Sequence, residues 1–172
     1  MLIVLAAISG TLVVGPGVGA QAQSSSHGEW SEVLDGGLGN DELHGGAGFD
    51  ILHGAQGQDV LYATSAAVGD DTRGARMFGG AGNDELYGSN RWDRMQGGPG
   101  NDELRGFAGR DWIRGGAHSD LVDGGGGVDD LHGGSGGDVV VATNGDRVRA
   151  GLGNDRCLHQ ELAASAWSCE RE

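Results

Sequence analysis

Twelve of the chain's 17 aspartates fall at one position of a recurring nine-residue unit, and that position is where its chemistry must be sought. They are Asp41, Asp50, Asp59, Asp84, Asp93, Asp102, Asp111, Asp120, Asp129 and Asp138, with Asp146 and Asp155 in two looser units. The first ten each stand two residues before an apolar side chain: Leu43, Leu52, Leu61, Leu86, Met95, Leu104, Ile113, Val122, Leu131 and Val140. Aspartates that only kept a chain soluble would scatter, as its glutamates partly do. Carboxylates are hard oxygen ligands, suited to a divalent cation such as calcium.

The elements that position them follow from the unit itself, Gly-Gly-x-Gly-x-Asp-x-apolar-x. Units start at Gly36, Gly45 and Gly54, and again at Gly79, Gly88, Gly97, Gly106, Gly115, Gly124 and Gly133. Degenerate units run over 27–35, with Glu32 at position six, and over 70–78, with Ala75 there. Residues 63–69 are an insertion. Glycines permit the positive φ and close backbone approach of a tight turn. Positions seven to nine read as a three-residue strand with position eight facing inward, because side chains alternate. Two units then make one coil of two strands and two turns, and each unit stacks on the second unit after it.

Stacked parallel strands lie about 4.7–4.9 Å apart. Two oxygens on opposite sides of a calcium ion, each at about 2.3–2.6 Å, are separated by nearly the same length. One Ca²⁺ between stacked turns would therefore meet an Asp from each turn and carbonyls of the glycine turns. The expected pairs are Asp41/Asp59, Asp84/Asp102, Asp102/Asp120, Asp120/Asp138, Asp93/Asp111 and Asp111/Asp129, with Asp129/Asp146 and Asp138/Asp155 looser. About seven such ions would balance the formal charge of −14. Magnesium, smaller and reluctant to lose water, fits less well.

The runs Gly36-Gly37-Leu38-Gly39-Asn40-Asp41-Glu42-Leu43-His44 and Gly97-Gly98-Pro99-Gly100-Asn101-Asp102-Glu103-Leu104-Arg105 resemble the haemolysin-type, repeats-in-toxin (RTX) calcium-binding nonapeptide family. The resemblance covers about 36–158 apart from the insertion. It implies an all-β chain, a right-handed parallel β-roll with two repeats per coil, calcium between adjacent turns, and assembly when calcium is present. Enzymatic and pore-forming domains of the family have no counterpart here, so no toxin or protease activity carries over. Ser89 and Arg91 replace glycines in the Gly88 unit, Phe107 in the Gly106 unit and His118 in the Gly115 unit. Sites using Asp93, Asp111 and Asp120 are therefore expected to be weaker than those using Asp41 or Asp102. Arg91, Arg94, Arg105, Arg110 and Arg114 cluster there, and arginine compensation is the alternative for that stretch.

Composition closes off other classes. Glycine is 37 of 172 residues without a collagen period, aromatics are 5%, and acids outnumber bases 25 to 11. A helical bundle and a nucleic-acid binder are both disfavoured. The six histidines form no zinc motif, and Gly133-Gly134-Ser135-Gly136-Gly137 matches a nucleophile elbow only in letters, since no helix should follow it. Trp92 and Trp112 read as stacking residues of the roll or as contacts for a carbohydrate or protein partner.

Residues 1–22 read as a Sec-type signal peptide: an apolar Leu2 to Val14, then Ala20-Gln21-Ala22 as the cleavage site, although no basic residue follows Met1. A membrane anchor is the competing reading. Residues 23–35 form a polar lead-in and degenerate first repeat, 36–62 and 79–158 are the two repeat blocks separated by 63–78, and 159–172 is a cap. The two cysteines, Cys157 and Cys169, suit one disulfide in an exported chain. The expected function is that of a secreted, non-enzymatic calcium-binding protein. An adhesive or surface-layer scaffold, or an accessory remnant of an RTX-type hydrolase, stands as the alternative. Positions seven and nine vary too much along the sequence to suggest a repeating outer patch.

Overall fold

The computed structural model describes residues 31–63 and 74–160, together with the backbone of two short strands, Thr11–Val13 and Gln21–Gln23. The chain folds as a parallel β-roll, and no helix occurs among the described residues. Sheet one stacks Thr11–Val13, Val33–Leu38, Ile51–Gln56, Arg76–Ala81, Arg94–Pro99, Trp112–Ala117, Asp130–Gly136 and Arg147–Gly153 in chain order. Sheet two stacks Gln21–Gln23, Glu42–His44, Val60–Tyr62, Glu85–Tyr87, Glu103–Arg105, Leu121–Asp123, Val139–Ala142 and Arg156–His159. The chain alternates between the sheets, so each unit lies against the second unit after it, as the period requires.

The core is a single file of position-eight side chains. Leu34, Leu43, Leu52, Leu61, Met77, Leu86, Met95, Leu104, Ile113, Val122, Leu131 and Val140 are all fully buried between the two sheets. Each such burial is worth about 1.5–3 kcal/mol. In-register pairing puts like upon like, for instance Leu43 beside Leu61 and Leu61 beside Leu86. That last pair spans the insertion, whose residues 64–73 lie outside the described segments. The Asp70 unit keeps the register: Met77 stacks on Leu52, and the Arg76 amide donates to the Asp50 carbonyl at 2.8 Å.

Two expectations are corrected. Three-residue strands are the rule in sheet two only. In sheet one, after Thr11–Val13, they run to six or seven, because the ladder continues into the following glycine turn, pairing Gly37 with Ala55 and Gly98 with Gly116. Positions seven and nine are also ordered into columns. His44, Tyr62 and Tyr87 stack with ring centroids 4.7 and 5.1 Å apart on sheet two, and His53 stacks on Phe78 at 4.8 Å on sheet one. The coil rise brings aromatic residues 18 or 25 positions apart into contact, a relation the linear order conceals.

The two N-terminal strands come from the stretch expected to be a leader. Thr11–Val13 pairs with Val33–Asp35, and Gln21–Gln23 pairs with Glu42–His44. The expected cut after Ala22 falls inside the second strand.

Three non-glycine residues adopt the left-handed backbone of the turns: Ala55 (φ 80°), Phe107 (φ 71°) and His118 (φ 81°). Phe107 and His118 thus reproduce the conformation of the glycines they replace. A side chain there costs about 1–2 kcal/mol, partly offset because glycine gives the unfolded chain more freedom. Ala55→Gly is expected to raise stability by up to about 1 kcal/mol, read as a higher thermal midpoint at fixed calcium.

Candidate metal centre

Turns gather on the two long edges of the roll. The first edge holds 36–41, 54–59, 79–84, 97–102, 115–120, 133–138 and 150–155. The second holds 45–50, 88–93, 106–111, 124–129 and 141–146. Every position-six aspartate from Asp41 to Asp138 is buried, 3% exposed at most.

Each carboxylate divides its two oxygens. On the first edge, Oδ1 accepts the backbone N–H of the aspartate one coil earlier. Asp41 donates to Asp59, Asp59 to Asp84, Asp84 to Asp102, Asp102 to Asp120 and Asp120 to Asp138, all at 2.9 Å, and Asp138 donates to Asp155 at 3.0 Å. Asp59 and Asp84 are neighbours although 25 positions apart, a pair absent from the sequence expectation because the insertion separates them. On the second edge the same bond joins Glu32 to Asp50, Ala75 to Asp93, Asp93 to Asp111, Asp111 to Asp129 and Asp129 to Asp146.

The other oxygen, Oδ2, is buried and accepts no hydrogen bond in Asp59, Asp84, Asp102, Asp111, Asp120, Asp129, Asp138 and Asp155. Buried polar atoms are almost always satisfied, and an anionic oxygen left bare is the costliest exception. These oxygens face the place where the position-one glycine carries no side chain. A Cβ on Gly36 would lie 2.7 Å from Asp41 Oδ2 and 2.9 Å from the Gly54 carbonyl oxygen. On Gly79 it would lie 2.5 Å from Asp84 Oδ2 and 2.8 Å from the Gly97 carbonyl oxygen. Carboxylate and carbonyl oxygens thus converge turn after turn, a donor set that fits calcium. Among the described residues no three acidic, histidine or cysteine side chains gather at one point. A closed zinc-type site, which needs several such ligands, is therefore not built there, and any cation must rely on backbone oxygens.

Two aspartates close their own turns. Asp93 Oδ2 accepts the Ser89 amide at 2.6 Å and the Ser89 hydroxyl at 2.9 Å. Asp146 Oδ2 accepts the Thr143 amide at 2.6 Å, with the Thr143 hydroxyl at 3.4 Å. The sequence grouped Asp93, Asp111 and Asp120 as weaker. The structure separates them: Asp93 is occupied by the serine that replaces a glycine, whereas Asp111 and Asp120 keep the bare Oδ2 of the regular units. Phe107 and His118 only copy glycine backbone, so they leave the carboxylates alone. Arg94 and Arg114 stand on the outer face of sheet one, Arg94 over the Trp112 ring at 4.6 Å, and Arg105 pairs with Glu103. These three arginines do not compensate the aspartate columns.

Burial is the main force on these acids. It lifts the carboxyl of Asp111 to about 8, of Asp120 to about 7, and of Asp59, Asp84 and Asp129 to about 6, with Asp102 and Asp138 raised as well. The N–H bond to Oδ1 opposes the rise in each case, and repulsion from stacked carboxylates adds to it for most, as from Asp93, Asp129 and Asp146 on Asp111.

Such a roll, with columns of half-satisfied carboxylates between glycine turns, defines a cation-binding β-solenoid. The family comparison agrees. The RTX calcium-binding nonapeptide repeat matches in four copies, over residues 31–65, 75–104, 87–117 and 105–140, more than half of the chain, and the chain belongs to that family. A comparison with curated proteins gives no match.

The raised carboxyls fix the sign of the pH dependence. A folded coil without metal holds protons more tightly than the unfolded chain, so its stability is greatest below about pH 4. That contribution disappears as pH rises through about 6 to 8, the range of the lifted groups. A cation must displace the same protons. Apparent calcium affinity is expected to be roughly tenfold or more weaker at pH 5.5 than at pH 8, and calcium added to a weakly buffered sample near neutrality should acidify it.

Proposed function

We propose that this chain is an exported, non-enzymatic calcium-binding protein whose metal sites come into being only as its coils stack. The observation that carries this reading is the column of buried, unsatisfied Oδ2 atoms on the first edge. Each step between coils supplies carboxylate oxygen from Asp residues that are 17 to 25 positions apart in the chain. No unfolded segment brings those oxygens together, so free energy of binding becomes free energy of folding.

The ligands are the twelve position-six aspartates with uneven shares. The first edge offers six steps, from Asp41/Asp59 to Asp138/Asp155. On the second edge, Asp111/Asp129 is the step where both carboxylates keep a bare Oδ2. Together these give about seven ions. Asp50, Asp93 and Asp146 contribute less: Asp50 stacks toward Ala75 in place of an acid, and the other two are held by Ser89 and Thr143. The affinity suited to extracellular calcium is about 10⁻⁴–10⁻³ M per site.

Export follows from the apolar leader, cut after Ala22. That cut would also remove the backbone that pairs with Val33–Asp35. At the other end, Cys157 occupies position eight of the last strand and packs against the core. Its proposed disulfide partner, Cys169, lies outside the described residues. A bridge would hold residues 159–172 over the terminal coil, where unpaired strand edges need a cover.

Calcium titration by calorimetry, followed by circular dichroism and proteolysis, tests the reading. Calcium is expected to create the β signal and protease resistance, magnesium to do so only at far higher concentration, and chelator to abolish both. A chain that stays compact and protease-resistant in excess chelator would refute the coupling. Asp102→Ala, which breaks two steps, should lower the ion count more than Asp41→Ala, which breaks one. Asp123→Ala should leave the count unchanged, because the Asp123 carboxylate stands on the outer face, where it accepts the Gly125 amide at 3.1 Å and belongs to neither aspartate column. Ser89→Gly should release Asp93 and add about one ion.

A further inference from the structure

Over three successive coils the two broad faces of the roll differ in charge at matching heights. On sheet one, Arg76, Arg94 and Arg114 are exposed, and Arg76 is the direct register partner of Arg94. Among the described residues none of the three forms an ion pair with a carboxylate. Arg76 and Arg94 rest instead over the rings of Phe49 and Trp112. On sheet two the outward acids are Glu85, Glu103 and Asp123. Glu85 accepts the Tyr87 hydroxyl, and Glu103 pairs with Arg105.

Each arginine precedes one of these acids by nine residues, which is one unit: Arg76 and Glu85, Arg94 and Glu103, Arg114 and Asp123. One unit is half a coil, so the two members of each couple sit on opposite faces at the same height along the axis. The neighbouring coil continues the match with apolar residues, Ile51 on one face and Val60 on the other. Across three consecutive coils of a chain with only 11 basic residues, sheet one thus presents three arginines and no acid, while sheet two presents three acids and one arginine, Arg105, and is acidic on balance.

We infer that calcium-loaded copies of this chain stack broad face to broad face, the arginine side of one against the acidic side of the next. A second copy, moved sideways without rotation, brings every coil opposite the same coil. Both surfaces then share one rise of about 4.8 Å, a spacing match that belongs to a copy of the roll by construction. The contact is heterologous, so it does not close on itself and builds open stacks. Seven coils give a face only about 34 Å long, so each contact is weak and assembly needs concentration. The charge of −14 opposes stacking until bound cations offset it. This last clause rests on the calcium reading, whereas the face-to-face couples do not.

Sedimentation velocity on the full chain in calcium, at about 5 to 200 µM protein and low salt, tests the inference. The weight-average sedimentation coefficient should rise with concentration past that of a dimer, and high salt should reverse the rise. The triple variant Arg76→Glu, Arg94→Glu, Arg114→Glu has two acidic faces and should remain monomeric. So should Glu85→Arg, Glu103→Arg, Asp123→Arg, which has two basic faces. Mixed one to one, the two variants should associate again. Calcium titration and circular dichroism on each variant report folding and loading separately, so a failed calcium reading shows itself there and not as lost stacking. Wild-type chain that loads calcium yet stays monomeric throughout overturns the inference, as does a mixture that fails to associate. Monomeric wild-type retained on an anionic polysaccharide column through these same arginines would assign the basic face to an acidic polymer instead.

Discussion

A buried carboxylate that must serve two coils at once governs this molecule. The position-six aspartate lends Oδ1 to the backbone of the preceding coil, which fixes the stacking distance, and turns Oδ2 into the glycine turn of its own unit. In Asp59, Asp84, Asp102, Asp111, Asp120, Asp129 and Asp138 neither water nor a hydrogen-bond donor reaches that second oxygen. Two consequences follow from one side chain. The roll has a staple that works without metal, and it also has a standing deficit that only a proton or a cation can remove. Burial raises the proton affinity of these groups into the physiological range, so protons and calcium compete for the same oxygen. The glycines belong to the same constraint. A methyl group on Gly97 would collide with Asp102 Oδ2, and one on Gly100, at φ 151°, with the Gly82 carbonyl. Most glycines of the described turns therefore mark where a carbonyl or carboxylate oxygen, not a side chain, must lie.

The two edges solve the constraint differently. The first is an unbroken column from Asp41 to Asp155, backed by exposed asparagine side chains that bond in the opposite direction along the axis: the Gln58 backbone N–H donates to Asn40 Oδ1 of the preceding coil and the Asn101 N–H to Asn83 Oδ1, both at 2.9 Å. The second edge is interrupted by Ala75, by the insertion, by Ser89 and by Thr143. At Ser89 and Thr143 a hydroxyl and an amide occupy the oxygen that a cation would otherwise claim. Local hydrogen bonding there replaces long-range ligation, and the interruptions fall on one side of the roll only.

Most of this was legible in the chain. A nine-residue period with aspartate at position six and an apolar residue at position eight dictates two sheets, one file of core residues and stacked turns, since strand alternation admits few other solutions. What stayed hidden depends on contacts between coils. Asp59 and Asp84 look unrelated because the insertion lies between them, yet they are adjacent. Tyr62 and Tyr87 form part of an aromatic column for the same reason. The order of effects among Asp93, Asp111 and Asp120 was also out of reach, because all three units depart from the motif and only geometry shows which departure touches a carboxylate. Ser89 was the available signal: a hydroxyl at position two, four residues before the aspartate, can reach its oxygen, whereas a phenylalanine or histidine can only mimic glycine's backbone.

Two units per coil also give the roll a grammar of length. Removing 18 residues deletes one whole coil, and the neighbours on either side meet in the register they already use. Removing nine deletes half a coil, and everything downstream changes sides: sheet one becomes sheet two, and the uninterrupted edge is continued by the interrupted one. Aspartate and leucine would still find aspartate and leucine, so such a chain would fold with its core intact. Its outer faces would be scrambled, arginines above acids on the same side. Parity, a property invisible to the nine-letter motif, is thus what the outer surface inherits, and duplication or loss within this gene is harmless to both core and surface only in even numbers of units.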